Sequence, residues 1–194
     1  MITFSLLFCI GFMVGVPWLV FSTSGTTPYK FKYDTEACNA EVFKLVKEGQ
    51  LDSARVILMS NKNFNRYPQK LLVSFCDLIK AYLKEDQVED AESLYNMFIA
   101  KSDDREDNDV LCRLFYSYYI GLGEYDAAES YISSDGYVSD DEYSQYLTDV
   151  VVDMCSRNQE KEAKRFVVQR IGNIENEFKR SEENERLNNL INNY

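Results

Sequence analysis

The chain has 194 residues, enough for one domain of ordinary size plus a short terminal segment. It carries 32 acidic and 21 basic side chains and no histidine, giving a formal net charge of −11. Nucleic-acid binding requires a basic surface and most catalytic triads require histidine, so this composition argues against nucleic acid as a partner and against His-based chemistry.

Residues 2–21 contain no charged side chain. At a rise of about 1.5 Å per residue, a helix of this length spans about 30 Å, the thickness of the hydrocarbon core of a bilayer. Trp18 lies near its far end, where aromatic side chains favour the membrane interface. We therefore predict a transmembrane anchor over residues 1–22, followed by a linker over residues 23–34.

The same segment has an alternative interpretation as a cleaved signal peptide, because the small residues 22–25 follow the apolar run. No Lys or Arg precedes the run, and it is longer than the usual apolar core of a signal peptide. These two features favour the anchor. Cleavage would instead release an exported, soluble protein.

Two further features of the N-terminal region concern orientation and packing. Lys30 and Lys32 follow the apolar run and no basic residue precedes it, so the positive-inside rule predicts a single-pass protein with its C-terminal domain in the cytoplasm. Gly11 and Gly15 form a G-x-x-x-G pattern, which lets two membrane helices approach closely. Glycine is also common in membrane helices without such a role.

Four alanines recur at intervals of 37, 37 and 35 residues, each at the end of a related hexapeptide. The hexapeptides are GQLDSA, DQVEDA, GEYDAA and NQEKEA, ending at Ala54, Ala91, Ala128 and Ala163. A period in this range is typical of stacked helical hairpins. Apolar residues at helical spacing on both sides of each hexapeptide predict four hairpins, over residues 35–60, 68–98, 110–132 and 139–167.

The recurring alanine has a simple physical interpretation. A small residue on the second helix of a hairpin lets the first helix approach closely where the two helices cross. Large apolar residues lie nine positions before each alanine, as expected of its contacts across the crossing. These residues are Leu45, Tyr82, Tyr119 and Met154.

This pattern resembles the tetratricopeptide repeat over residues 35–172, best in the third unit, where Tyr119 is followed by GEYDAA. It departs from that family in its longer period and in lacking a closing proline. The pentatricopeptide repeat looks similar on the same hexapeptide, but it binds RNA, which the acidity disfavours. The resemblance implies a right-handed α-solenoid with a concave peptide-binding face; a plain array of helical hairpins is the alternative.

Carrying the family's concave face over to this chain predicts a surface that binds a protein partner. Lys80 and Arg113 fall on that face in adjacent units and could meet acidic side chains, although they could equally be solvated cations. The predicted partner-binding residues are Asn39, Phe43, Lys80, Arg113, Ser117 and Thr148.

Residues 173–194 are mostly polar, and Leu187, Leu190 and Ile191 form an apolar stripe at helical spacing among them. A solenoid needs a polar-backed helix to cover its open end, so we predict one or two capping helices here. Docking on another protein is the alternative role.

Nothing in the sequence specifies a reaction. Cys38, Cys76, Cys112 and Cys155 have no metal-binding or redox spacing, so we interpret them as buried apolar residues rather than as metal ligands or disulfides. The sequence predicts an all-α protein without catalytic residues, metal or cofactor. Its predicted role is that of a membrane-anchored adaptor or accessory subunit for a protein partner.

Overall fold

The computed structural model describes residues 28–194, and the predicted anchor with Gly11 and Gly15 lies outside this range. Within it the chain forms helices and no strand, which confirms the all-α prediction. None of these helices has the length and apolar character of a membrane-crossing helix. The α-helices are α1 (Pro28–Tyr33), α2 (Thr35–Lys47), α3 (Leu51–Ser60), α4 (Leu72–Lys84), α5 (Val88–Ile99), α6 (Arg105–Leu122), α7 (Tyr125–Glu129), α8 (Asp140–Ser156), α9 (Glu160–Arg170) and α10 (Glu177–Asn192).

The helices pack in consecutive pairs. Helix α2 packs on α3, α4 on α5, α6 on α7 and α8 on α9. The first helix of each pair also contacts the first helix of the next, so that α2 contacts α4, α4 contacts α6 and α6 contacts α8. Helix α10 contacts both α8 and α9, which is the relation that α4 has to α2 and α3.

The turn between the two helices has the same backbone geometry in all four pairs. The residue five positions before the recurring alanine adopts a positive φ of 59–78°. The backbone amide of the next residue donates a hydrogen bond of 2.8–2.9 Å to a carbonyl in the first helix, that of the residue nine positions before the alanine. This is the Schellman ending of a helix. Glycine adopts the left-handed conformation at no steric cost, whereas Asp and Asn tolerate it. The four residues are Gly49, Asp86, Gly123 and Asn158.

The recurring alanines are buried, as the crossing interpretation predicts. Ala54, Ala91, Ala128 and Ala163 are all 0% exposed on the second helix of their pair. Among the large residues nine positions earlier, Leu45, Tyr82 and Met154 are buried, whereas Tyr119 is half-buried. The third crossing is therefore more open than the other three.

The apolar core forms two clusters. The first runs from Phe31 to Phe115, and in it Phe75 stacks on Phe64 and meets Phe98 edge to face, with 5.1 Å between ring centroids in both pairs. The second runs from Ala128 to Ile191. Helix α7 is only five residues long and contributes Ala128 to the second cluster.

Two elements differ from the sequence-based expectations, whereas the tail agrees with them. Helix α1 lies inside the predicted linker, and its Phe31 is buried in the first cluster. The second helix of the third unit ends at Glu129 rather than near residue 132, because the backbone tightens there: the Tyr131 amide donates to the Ala128 carbonyl. The tail forms a single α-helix, capped by Asn176, after a short 3-10 turn at Ile171–Asn173.

The four cysteines in the described range are buried and free, consistent with their interpretation as apolar residues. Burial raises the pKa of Cys38 and that of Cys76 to about 11. A thiol held in its protonated form is a poor nucleophile at neutral pH.

Candidate functional site

The predicted partner-binding residues occupy two equivalent positions in the repeat. Asn39, Arg113 and Thr148 lie fifteen residues before the recurring alanine, and Phe43, Lys80 and Ser117 lie eleven residues before it. All six are on first helices of the pairs, namely α2, α4, α6 and α8. We call the surface that they form the first-helix face.

Four of the six side chains point toward solvent. Phe43 is 46% exposed, and Lys80, Arg113 and Ser117 are exposed as well. The Lys47 ammonium lies 4.3 Å from the centroid of the Phe43 ring. Within residues 28–194, the side chains of Lys80 and Arg113 make no hydrogen bond or ion pair with the rest of the chain. Both cations are therefore accessible to a ligand.

Asn39 has a structural role in the free protein. Its amide nitrogen donates to the Lys70 carbonyl at 3.1 Å, and its amide oxygen accepts from the hydroxyl of Ser74 at 2.5 Å. These bonds tie α2 to the beginning of α4. Ser74 is buried, so a partner would have to compete with an established internal contact to use this amide.

Thr148 lies beneath the C-terminal helix. Its hydroxyl donates to the Ser144 carbonyl at 2.8 Å and accepts a hydrogen bond from Arg186 of α10. Arg186 also pairs with Glu183, which is only 6% exposed. Burial alone raises the pKa of Glu183, but hydrogen bonds from Arg186 and Ser144 hold it below its ordinary value. Helix α10 therefore covers the first-helix face at its fourth unit.

A groove of about 560 Å³ lies between the turn after α2 and the helix α4. Lys80 and Lys84 line it together with Asp52, Asp77 and Glu85. None of these five side chains forms an ion pair within the described residues. The groove therefore offers both charges to a ligand.

A second groove of about 420 Å³ lies between α6 and α8. Arg113 is at its rim, and Tyr116 and Tyr146 line its interior with ring centroids 6.3 Å apart. The Tyr116 hydroxyl donates to Asp149 at 2.7 Å, and Gln145 donates to the other oxygen of that carboxylate at 2.7 Å. Burial and the Asp149 carboxylate raise the pKa of Tyr116, so it remains a neutral donor.

Lys80 and Arg113 thus border different grooves and do not converge on one point. They lie on adjacent first helices, whose axes pack roughly 8–10 Å apart. An extended peptide rises about 3.3 Å per residue, so roughly two to three residues would span the distance between the two helix axes. The geometry suits a ligand that lies across α4 and α6.

One repeated position escaped the sequence analysis. The residue directly after each recurring alanine is long and polar and bonds to a later part of the chain. Arg55 pairs with Asp90 at 2.6 Å, and Glu129 pairs with Arg170 at 2.5 Å. Equivalent bonds run from Tyr131 to Glu92 and from Lys164 to Asn192. The long polar residue after each alanine is visible in the sequence and was the pattern from which these contacts could have been predicted. The bonds link neighbouring hairpins.

Metal coordination has no candidate in the part of the chain that the structure describes: no group of three or more His, Cys, Asp or Glu side chains is arranged to hold an ion. The acidic stretch at residues 103–109 instead serves local structure. Asp104 caps α6 by accepting the amides of Glu106 and Asp107, and Asp109 pairs with Arg105 at 3.4 Å.

Comparison of the chain with protein-family models, with curated proteins and with solved structures finds no match.

Proposed function

We propose that this protein is a membrane-anchored helical-repeat adaptor or accessory subunit without catalytic activity. It binds a protein partner on the first-helix face and holds that partner at the membrane or in a membrane complex. The second candidate is an exported, soluble repeat protein released by cleavage after the apolar N-terminal run, and it rests on the small residues 22–25.

The four equivalent turns and buried alanines support a repeat array similar to tetratricopeptide proteins. Each pair repeats the same turn, the same crossing and the same contact to the next first helix. We assign this array as a right-handed α-solenoid. Helix α10 has the position that a fifth first helix would take, so its assigned role is to cap the open end.

The observation that carries the binding role is the pair of exposed cations on α4 and α6, neither of which forms an ion pair within the described residues. The chain has a net charge of −11, and Lys80 and Arg113 have no ion-pair partner in the described range. Both border grooves with the volume of a few side chains. Cations in such positions pair with carboxylates of a protein partner.

The test of this role is a double charge reversal, Lys80→Glu with Arg113→Glu. We expect the proteins that co-purify with the full chain from mildly solubilised native membranes to fall at least about tenfold, which corresponds to about 1.4 kcal/mol. The difference in partner recovery between the wild type and the double variant should be smaller at high salt than at low salt, because salt screens the exposed charges of the wild type. The melting temperature should stay unchanged, since both side chains are exposed.

The matched control reverses two other exposed cations, Lys161→Glu with Arg165→Glu, on helix α9. It makes the same change in net charge, but on the second helix of the fourth pair, outside the first-helix face. This control should retain the partners. If both double variants retain them equally, the first-helix face is not the interface. If both lose them equally, net charge rather than this face governs binding.

The membrane role predicts that the native protein retains its apolar N-terminus and resists extraction by alkaline carbonate. Twenty uncharged residues bury enough apolar surface to hold a helix in a bilayer. Met13→Arg should shift the protein toward the soluble fraction, because a central Arg costs about 2.5–3.5 kcal/mol of insertion. An intact mass short by about 22–25 residues would favour the exported alternative instead.

A further inference from the structure

One stretch of this acidic protein contains no acidic residue. Residues 53–76 contain no Asp or Glu, but they contain Arg55, Lys62, Arg66 and Lys70. Arg55 is neutralised by Asp90. The other three cations form no ion pair within the described part of the chain.

Helix α1 brings another cation and an aromatic ring next to this stretch. The Tyr33 ring centroid lies 5.8 Å from the Lys32 ammonium and 5.9 Å from that of Lys62. The Lys70 ammonium lies 4.9 Å from the centroid of Tyr67. Tyr33 is 52% exposed and Tyr67 is 47% exposed. We call this surface the basic edge; it consists of Lys32, Tyr33, Lys62, Arg66, Tyr67 and Lys70.

The basic edge is held in place by its own hydrogen bonds. The buried Asn61 amide donates to the Phe31 carbonyl at 2.7 Å, and the Asn63 amide donates to the Tyr33 carbonyl at 2.8 Å. Phe31 and Phe64 anchor the two segments in the first apolar cluster. Between Tyr33, Lys62 and Arg66 lies a shallow cavity of about 500 Å³. The cations therefore face outward from a fixed framework.

The position of this edge in the chain identifies the surface that it would meet. Helix α1 is the first described element, so residues 1–27 join the domain at the basic edge. If those residues hold the protein in a bilayer, this edge is the part of the domain next to the lipid headgroups. Lysine and arginine attract anionic headgroups, and tyrosine favours the membrane interface.

We propose that the basic edge docks on the anionic phospholipid headgroups of the bilayer. The docking fixes the orientation of the domain, with α1 and residues 61–70 on the membrane and the later helices directed away from it. This proposal rests on the proposed membrane role for its geometry, although the edge itself requires only an anionic surface. A nucleic acid has the same anionic chemistry, but nothing in the chain brings one to this edge, whereas the proposed anchor would bring a bilayer to it.

The test uses the full chain in nanodiscs of neutral lipid and in nanodiscs with about 30% phosphatidylserine. Hydrogen exchange of the amides in residues 61–70 should slow at least about threefold in the anionic discs relative to the neutral ones, since docking excludes water from this loop. The triple variant Lys62→Gln, Arg66→Gln, Lys70→Gln should lose this difference.

A matched control neutralises three exposed cations elsewhere, Lys101→Gln, Lys161→Gln and Arg165→Gln, and should keep the difference. Equal exchange in the two lipids for the wild type would overturn the proposal. So would an equal loss in the triple variant and the control, because net charge would then account for the effect.

Two further measurements separate this proposal from the anchor. Flotation of the chain with anionic but not neutral vesicles, combined with full extraction by carbonate, would support the basic edge and reject the anchor. Resistance to carbonate without lipid-dependent protection would do the reverse. Binding of a single-stranded oligonucleotide that the triple variant abolishes, without vesicle-dependent protection, would overturn the lipid assignment in favour of nucleic acid.

Discussion

Ala91→Leu should lower the free energy of unfolding by about 1–3 kcal/mol. Ala91 is 0% exposed on α5, in the same apolar cluster as Tyr82 of α4, and these two helices pack directly on each other. A leucine adds three carbon atoms where the helices cross, so it must displace α4 or force its neighbours from their preferred rotamers. Urea unfolding followed by circular dichroism measures the loss.

The matched control is Ala40→Leu, the same substitution at an exposed position within α2. It should change the free energy of unfolding by no more than about 0.5 kcal/mol. Ala128→Leu should cost less than Ala91→Leu, because Tyr119 is only half-buried and α7 is short, so this crossing can adjust. Equal stability of the Ala91 and Ala40 variants would show that the alanines do not set the helix crossings.

A second large effect is expected at alkaline pH, where the protein should lose about 2–3 kcal/mol of stability for each of two buried thiols. Burial raises the pKa of Cys38 and of Cys76 from the ordinary 9.0 to about 11. Above pH 9 the unfolded chain releases these protons while the folded chain keeps them, so ionisation favours unfolding. The contribution is present in full below pH 9 and is lost as the pH rises toward 11.

Urea denaturation at several pH values between about 7 and 11 measures this slope. The double variant Cys38→Ala with Cys76→Ala should show a shallower decline, whatever its stability at neutral pH. Part of the decline should remain, because a hydrogen bond to Asp86 raises the pKa of Tyr118 to about 12. An unchanged slope in the double variant would show that the two thiols do not remain protonated in the folded protein. Slow labelling of the native thiols at neutral pH is an independent check.

Local sequence patterns predicted the four helix pairs from α2 to α9, although they missed α1 and made α7 too long. Alanine spacing depends on which residues fit a helix crossing, and the turns depend on a residue that tolerates positive φ. Both are short-range requirements, and they are visible in GEYDAA, where Gly123 forms the turn and Ala128 the crossing. Phe43, Lys80 and Arg113, which the family resemblance placed on first helices, are exposed there.

The side chains that surround each candidate site could not be predicted from local patterns, because they come from residues that are distant in the sequence. Thr148 was predicted to face a partner, but Arg186, 38 residues later, reaches it from α10. Lys80 and Arg113 border separate grooves because α6 packs beside α4 and α8 beside α6.

The sequence by itself determined an all-helical chain with a repeating alanine and turn, since each helix needs only local hydrogen bonds and an apolar stripe of the right period. The tertiary structure alone decided that Arg186 of α10 reaches Thr148 and that α1 joins residues 61–70 in one basic edge. These arrangements depend on which surfaces remain to be buried once the hairpins have stacked. Helical periodicity shows which face of a helix is apolar, but not which other helix will cover that face.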